Sequence, residues 1–80
     1  MTHDEIRAQV SHALTSVAPE IDPASLNPSA PLRDQVDLDS MDFLRFVVEV
    51  HTRLGVAVPE ADYAKLTSLD AIADYVASRQ

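Results

Sequence analysis

The sequence predicts an all-α fold, a small bundle of three main helices plus one short helix, with a long first loop. Three observations carry that expectation. The chain has one glycine in 80 residues and is 46% hydrophobic. Its apolar positions recur at three- and four-residue intervals rather than in alternation, and four of its five prolines fall in one stretch. Thr2 with Glu5 three residues later is a capping-box pair, and Ile6, Val10, Ala13, Leu14 and Val17 then repeat at helical spacing. The first helix is expected from about His3 to Val17.

Pro19, Pro23, Pro28 and Pro31 come next. Proline lacks an N–H and clashes in a helix interior, so this stretch is a loop of about 20 residues. A connection so long is either functional or disordered. Leu26, Leu32 and Leu38 argue against disorder, being spaced as anchors that pin the loop over the bundle, with a helical turn near Pro23–Leu26. A second main helix begins near Ser40 and stops before Gly55, a residue suited to the positive φ of a helix C-terminus. After the apolar link Val56-Ala57-Val58-Pro59 a brief helical turn is expected at about Glu60–Lys65. Thr67 then caps a last helix with Leu69, Ile72, Ala73 and Val76 on one face and Asp70 in its first turn. There is no repeat or low-complexity tract, and residues 1–80 read as a single domain.

Size and charge exclude several functions. A chain this short buries about 60–65% of its unfolded surface, enough for one modest core and not for a deep catalytic cleft. With no cysteine, disulfides, thiolate metal sites and any thiol supplied by the protein itself are ruled out. Thirteen acids against six bases give a net charge of −7, a field that opposes nucleic acid and anionic membranes and favours basic protein partners. "MTHDEIRAQV" has neither the basic nor the apolar region of a signal peptide, and nothing approaches the ~18 apolar residues of a membrane span. A soluble, cytoplasmic monomer is expected. No metal-ligand cluster, phosphate loop or paired acid and base is found, so the chain does not read as an enzyme.

The second helix has more apolar surface than one core contact needs. At about 100° per residue, Phe43, Phe46, Val47, Val50 and Leu54 share an arc of about 140–240° measured from Met41, a normal core stripe. Met41, Leu44 and Val48 lie outside it, at about 0°, 300° and 340°. Val48 fits either a second core contact or an exposed patch. Met41 and Leu44, beside the long loop, are expected to be partly exposed and to dock partner proteins, a role that suits the adaptable thioether of methionine.

"DLDSMDF", Asp37 to Phe43, places Ser40 among carboxylates where the loop becomes this helix. Ser40 or Asp39 can be the N-cap. Ser40 as a catalytic nucleophile would need a base, and His51, on the same helix, is about 16 Å away along the axis. His3 and His12 belong to another helix, so no catalytic residue is assigned. The third reading is attachment: free N–H groups and the helix dipole suit a phosphodiester on this hydroxyl. Asp34, Asp37, Asp39 and Asp42 would form a negative rim that attracts a basic partner, or Mg²⁺ held jointly with a phosphate-bearing donor.

"DLDSMD" opening an amphipathic helix resembles the phosphopantetheine attachment motif of acyl carrier proteins, in which Asp-Ser-Leu is the common form. "APLRD" upstream, "LGVAVPEADYAKLTSLDAIADYV" downstream, the acidity and the length extend the resemblance over nearly the whole chain. It implies a carrier domain to whose Ser40 Oγ a phosphopantetheinyl transferase joins the 4′-phosphopantetheine arm of coenzyme A. The arm's thiol would hold acyl or aminoacyl groups as thioesters, which accounts for a carrier without cysteine. The resemblance further implies that Asp39 helps bind the Mg²⁺–coenzyme A complex. Asp37, Met41, Asp42, Leu44 and Val48 would face acyl-loading and acyl-using enzymes with basic docking surfaces. Phe46, Val50, Ile72 and Val76 would border a tunnel for the acyl chain or simply form the core.

Two departures from the housekeeping pattern of fatty-acid synthesis stand out. Asp37 sits where glycine is common, and Arg45, His51 and Arg53 dilute the acidity of the second helix. A carrier of a specialised lipid or secondary-metabolite pathway is therefore expected. The rival readings are a helical adaptor with no prosthetic group and a peptidyl or aminoacyl carrier of nonribosomal assembly.

Overall fold

The first helix, α1 (His3–Val17), is capped as its sequence dictates: Thr2 is extended and its hydroxyl accepts from the Glu5 N–H at 3.2 Å. The computed structural model describes residues 2–79. After α1 come a 3-10 turn (Pro23–Ser25), the single-turn α2 (Leu32–Gln35), α3 (Ser40–Leu54), a 3-10 helix (Glu60–Lys65) and α4 (Leu69–Arg79). The fold is all-α, with three main helices. α1 packs against both α3 and α4. Ile6, Val10 and Leu14 of α1, Phe46 and Val50 of α3, and Ile72 and Val76 of α4 are fully buried where the three meet. Burying each such side chain stabilises the fold by about 1.5–3 kcal/mol. No helix among the described residues is long and apolar enough to cross a membrane.

The long connection is ordered by its own hydrogen bonds. The Leu32 N–H donates to the Thr67 carbonyl at 2.7 Å and the Asp70 N–H to the Pro28 carbonyl at 3.0 Å, tying both ends of one loop segment to the start of α4. Gln35 bridges the interior: its Oε1 accepts from the Asn27 N–H at 2.6 Å, and its Nε2 donates to the Asn27 and Ala30 carbonyls at 2.9 and 3.0 Å. Leu32 is buried, and Leu26 and Leu38 pack half-buried on the core, as their spacing suggests. The expected turn near Pro23 is present, held by the Asp22 carboxylate accepting from the Ala24 N–H. α2 had no such signal, because four residues are too few to display a period.

α3 ends at Gly55, whose φ of 70° lies in the left-handed region and whose N–H closes onto the His51 carbonyl at 2.8 Å. The cap of α4 differs from expectation. Ser68, not Thr67, receives the Ala71 N–H on its hydroxyl at 3.1 Å, while the Thr67 carbonyl is occupied by the loop. Two adjacent hydroxyl residues offer the same local signal, and the tertiary bond to Leu32 decides between them.

Tyr75 lies outside the stripe expected for α4, yet it is buried and ties that helix to the 3-10 helix. Its hydroxyl donates to Asp62 at 2.6 Å, Arg79 reaches the same carboxylate at 3.1 Å, and Lys65 lies 3.3 Å from it. Donation from Tyr75, assisted by Lys65 and Arg79, holds the Asp62 carboxyl below its usual 3.8; the same bond, with burial, raises the Tyr75 phenol above 10.0. A folded-state pKa below the unfolded one gives stability that is full above about pH 4 and is lost as pH falls through the folded value. For the phenol the sign reverses: its contribution is present below about pH 10 and is lost at higher pH. Tyr75→Phe is therefore expected to flatten the pH dependence of the melting temperature at both extremes. A variant that loses as much as wild type between neutral and acidic pH would show that the stability comes from elsewhere.

Candidate functional site at the start of the third helix

Asp39 is the N-cap of α3. Its backbone is extended, its carboxylate accepts from the Asp42 N–H at 2.8 Å, and its carbonyl accepts from the Phe43 N–H at 2.9 Å. With Asp39 in this role Ser40 is the first helical residue, its hydroxyl exposed and without a hydrogen bond among the described residues. The N–H groups of Ser40 and Met41 likewise have no partner among these residues. An anion joined to Ser40 Oγ would sit beside those donors at the positive end of a 15-residue helix. Asp39→Ala is expected to cost about 1 kcal/mol, read as a lower melting temperature, because the Asp42 N–H loses its acceptor.

Among the described residues Ser40 has no hydrogen bond to a side chain that could act as its base. His3 is engaged with Asp74 at 2.9 Å, and His51 is exposed near the far end of α3. Among the described residues no three His, Cys, Asp or Glu side chains are grouped to hold a metal. Asp37 is exposed in the loop, and Asp42, half-buried, lies 4.0 Å from Arg45.

Ser40 opens onto a groove of about 770 Å³ between α3, the α2 segment and the 3-10 helix. Leu32, Leu38, Phe43, Tyr63 and Leu66 give it apolar walls, with Arg33, Glu60 and Thr67 at polar positions. Phe43 and Tyr63 meet edge-to-face across it, 5.5 Å between ring centres. Phe46, Val50, Ile72 and Val76, the tunnel candidates, do not line it; they are closed into the core. The wall from the 3-10 helix and its C-cap Leu66 was not legible beforehand, since Tyr63 meets Phe43 of α3 only through tertiary folding. Leu44, 43% exposed, borders both this groove and the other flank of α3, where Met41 and Val48 are each 62% exposed. That removes the second core contact as a reading for Val48.

The three main helices thus present an exposed, unbonded serine at a helix N-terminus, beside an apolar groove. The chain belongs to the acyl carrier family: the family model described as the phosphopantetheine attachment site matches residues 6–76. Its cofactor is phosphopantetheine, and a member of this family carries substrates for enzymes rather than acting as one. The chain is 25% identical over 80 residues to an acyl carrier protein of Rubrobacter xylanophilus, covering 100% of this chain and 98% of that one. It is 26% identical over 76 residues to the meromycolate extension acyl carrier protein of Mycobacterium leprae, covering 95% of this chain but 65% of that protein. A mitochondrial acyl carrier protein 2 of Arabidopsis thaliana is 29% identical over 59 residues, 74% of this chain and 47% of that one.

Proposed function

We propose that Ser40 is the attachment point and that residues 1–80 act as one carrier domain. The observation that carries this reading is the division of labour at the helix start: Asp39 caps α3, which leaves the Ser40 hydroxyl unbonded, exposed and next to unpaired N–H groups. A phosphopantetheinyl transferase would supply the base that Ser40 lacks. The Oγ–P bond forms as the pyrophosphate P–O bond of coenzyme A breaks, adenosine 3′,5′-bisphosphate leaves, and the hydroxyl proton passes to the transferase. Once attached, the arm contributes a thiol that holds acyl groups as thioesters. Asp39, besides capping, would help bind the Mg²⁺–coenzyme A complex. Asp37 and Asp42 would meet cationic groups at the rim of partner enzymes, and Met41, Leu44 and Val48 their apolar sockets.

The apolar groove beside Ser40 fits an acyl chain better than a charged aminoacyl unit, which favours lipid or polyketide cargo. Relatives named for meromycolate extension agree with a specialised lipid pathway; the cytoplasm is the compartment we propose. The deciding experiment is loading. The protein is incubated with coenzyme A, Mg²⁺ and a broad-specificity transferase, then digested. Added phosphopantetheine on the peptide spanning Ser40 is expected; no added mass would leave the adaptor reading. The pathway is tested by exchange: support of fatty-acid elongation equal to that of the host's housekeeping carrier would remove the specialised role.

A further inference from the structure

The exposed face of α3 changes sign along its length. Asp37, Asp39 and Asp42 give three negative charges in and before its first turn, with no cation between them. From Phe43 to Leu54 stand Arg45, Glu49 and Arg53, two positive and one negative, a net of +1 with His51 neutral. Glu49 and Arg53 satisfy each other at 3.3 Å. Arg45 lies 4.0 Å from Asp42, and its side chain is 69% exposed, so it is the freest charge on this stretch. It also borders the apolar face: with Met41, Leu44, Val48 and Glu49, whose carboxylate is held by Arg53, it lines a shallow groove of about 370 Å³, bounded on the far side by Ser16 and Val17 of α1.

Resting on the carrier reading above, we infer that the enzyme docking on this groove does not have a uniformly basic surface. It places cations at the Ser40 end, an apolar socket over Met41 and Val48, and a carboxylate opposite Arg45, about 7–8 Å further along the helix axis. Charge complementarity requires this pattern. A uniformly basic surface would press a like charge onto Arg45 just where contact with Met41 and Val48 excludes water, and repulsion there is how an interface rejects wrong partners. Arg45 is thus a specificity-determining residue for partner choice, and its charge shuts the carrier out of enzymes adapted to an acidic helix.

The test uses the phosphopantetheine-bearing protein, its mass verified first, with acyl cargo attached. The probe is a fatty-acid-synthesis β-ketoacyl synthase that has a basic docking surface. Arg45→Glu is expected to raise its kcat/KM about three- to tenfold at low ionic strength, the gain shrinking as salt screens exposed charges. A synthase variant in which the docking cation nearest the middle of α3 is replaced by glutamate should reverse the preference and favour Arg45. Ala8→Glu, on the exposed outside of α1, controls for net charge. Equal rates for wild type and Arg45→Glu with both synthases, or an equal gain from Ala8→Glu, would overturn the inference while leaving the carrier reading intact. Failure to load at all would remove both. Sedimentation of the loaded protein should give a monomer; a dimer dissolved by Arg45→Glu would assign this face to a second copy instead.

Discussion

Ser40→Ala is expected to leave no phosphopantetheine on the protein while the melting temperature stays within about 3 °C of wild type. Both halves follow from one arrangement. The hydroxyl makes no hydrogen bond that the fold uses, and the adjacent N-cap contact, Asp39 Oδ1 with the Asp42 N–H at 2.8 Å, does not involve it. Alanine is also a better helix former than serine, so the start of α3 loses nothing. Loading, by contrast, has no substitute nucleophile at this position: no cysteine exists, and the next residue, Met41, has no hydroxyl. Intact mass after incubation with coenzyme A and transferase, alongside a thermal melt, reads both effects. An arm found on Ser40→Ala would place the attachment elsewhere. A large drop in melting temperature would mean that Ser40, not Asp39, caps α3 in solution.

That separation was only half legible in the sequence. "DLDSMD" places a polar group at the start of an amphipathic helix, but aspartate and serine are both strong N-cap residues, and local chemistry cannot choose between neighbours. The same ambiguity recurred at Thr67 and Ser68, where a hydrogen bond from a loop 35 residues away settled the matter. Long periodic segments behaved differently. α1 and the 3-10 helix have the expected bounds, and Gly55 closes α3, because period, cap and terminator are all local signals. α2, the Tyr75–Asp62 contact and the groove wall of Tyr63 and Leu66 arise from tertiary packing, which no window of neighbouring residues encodes. The excess apolar width of α3 was visible. Its meaning for Val48 was not, since a bundle that wrapped α3 on two sides would have had the same sequence pattern.

Phe46→Ala should have the largest effect on stability and should impair loading without touching Ser40. Phe46 is fully buried and is the largest such side chain in the core, stacked at a tilt 6.2 Å from Phe43. Truncating a buried phenylalanine typically costs about 3–5 kcal/mol, the transfer term plus a cavity that neighbours fill incompletely. An 80-residue chain has roughly 4–12 kcal/mol in total at typical per-residue stability, so the variant would keep little margin. Each kcal/mol lowers the melting temperature of a domain this size by about 4–8 °C, giving an expected drop of more than about 12 °C. Loading would then fall with the folded fraction, because the free N–H groups beside Ser40 exist only while α3 is helical. Phe46→Leu, which keeps most of the apolar volume, should restore both stability and loading in parallel. If Phe46→Ala melts within about 5 °C of wild type, the packing of α3 on α1 at this position is wrong. If it unfolds yet loads at the wild-type rate, the transferase reads the local sequence around Ser40 rather than the helix that the core holds in place.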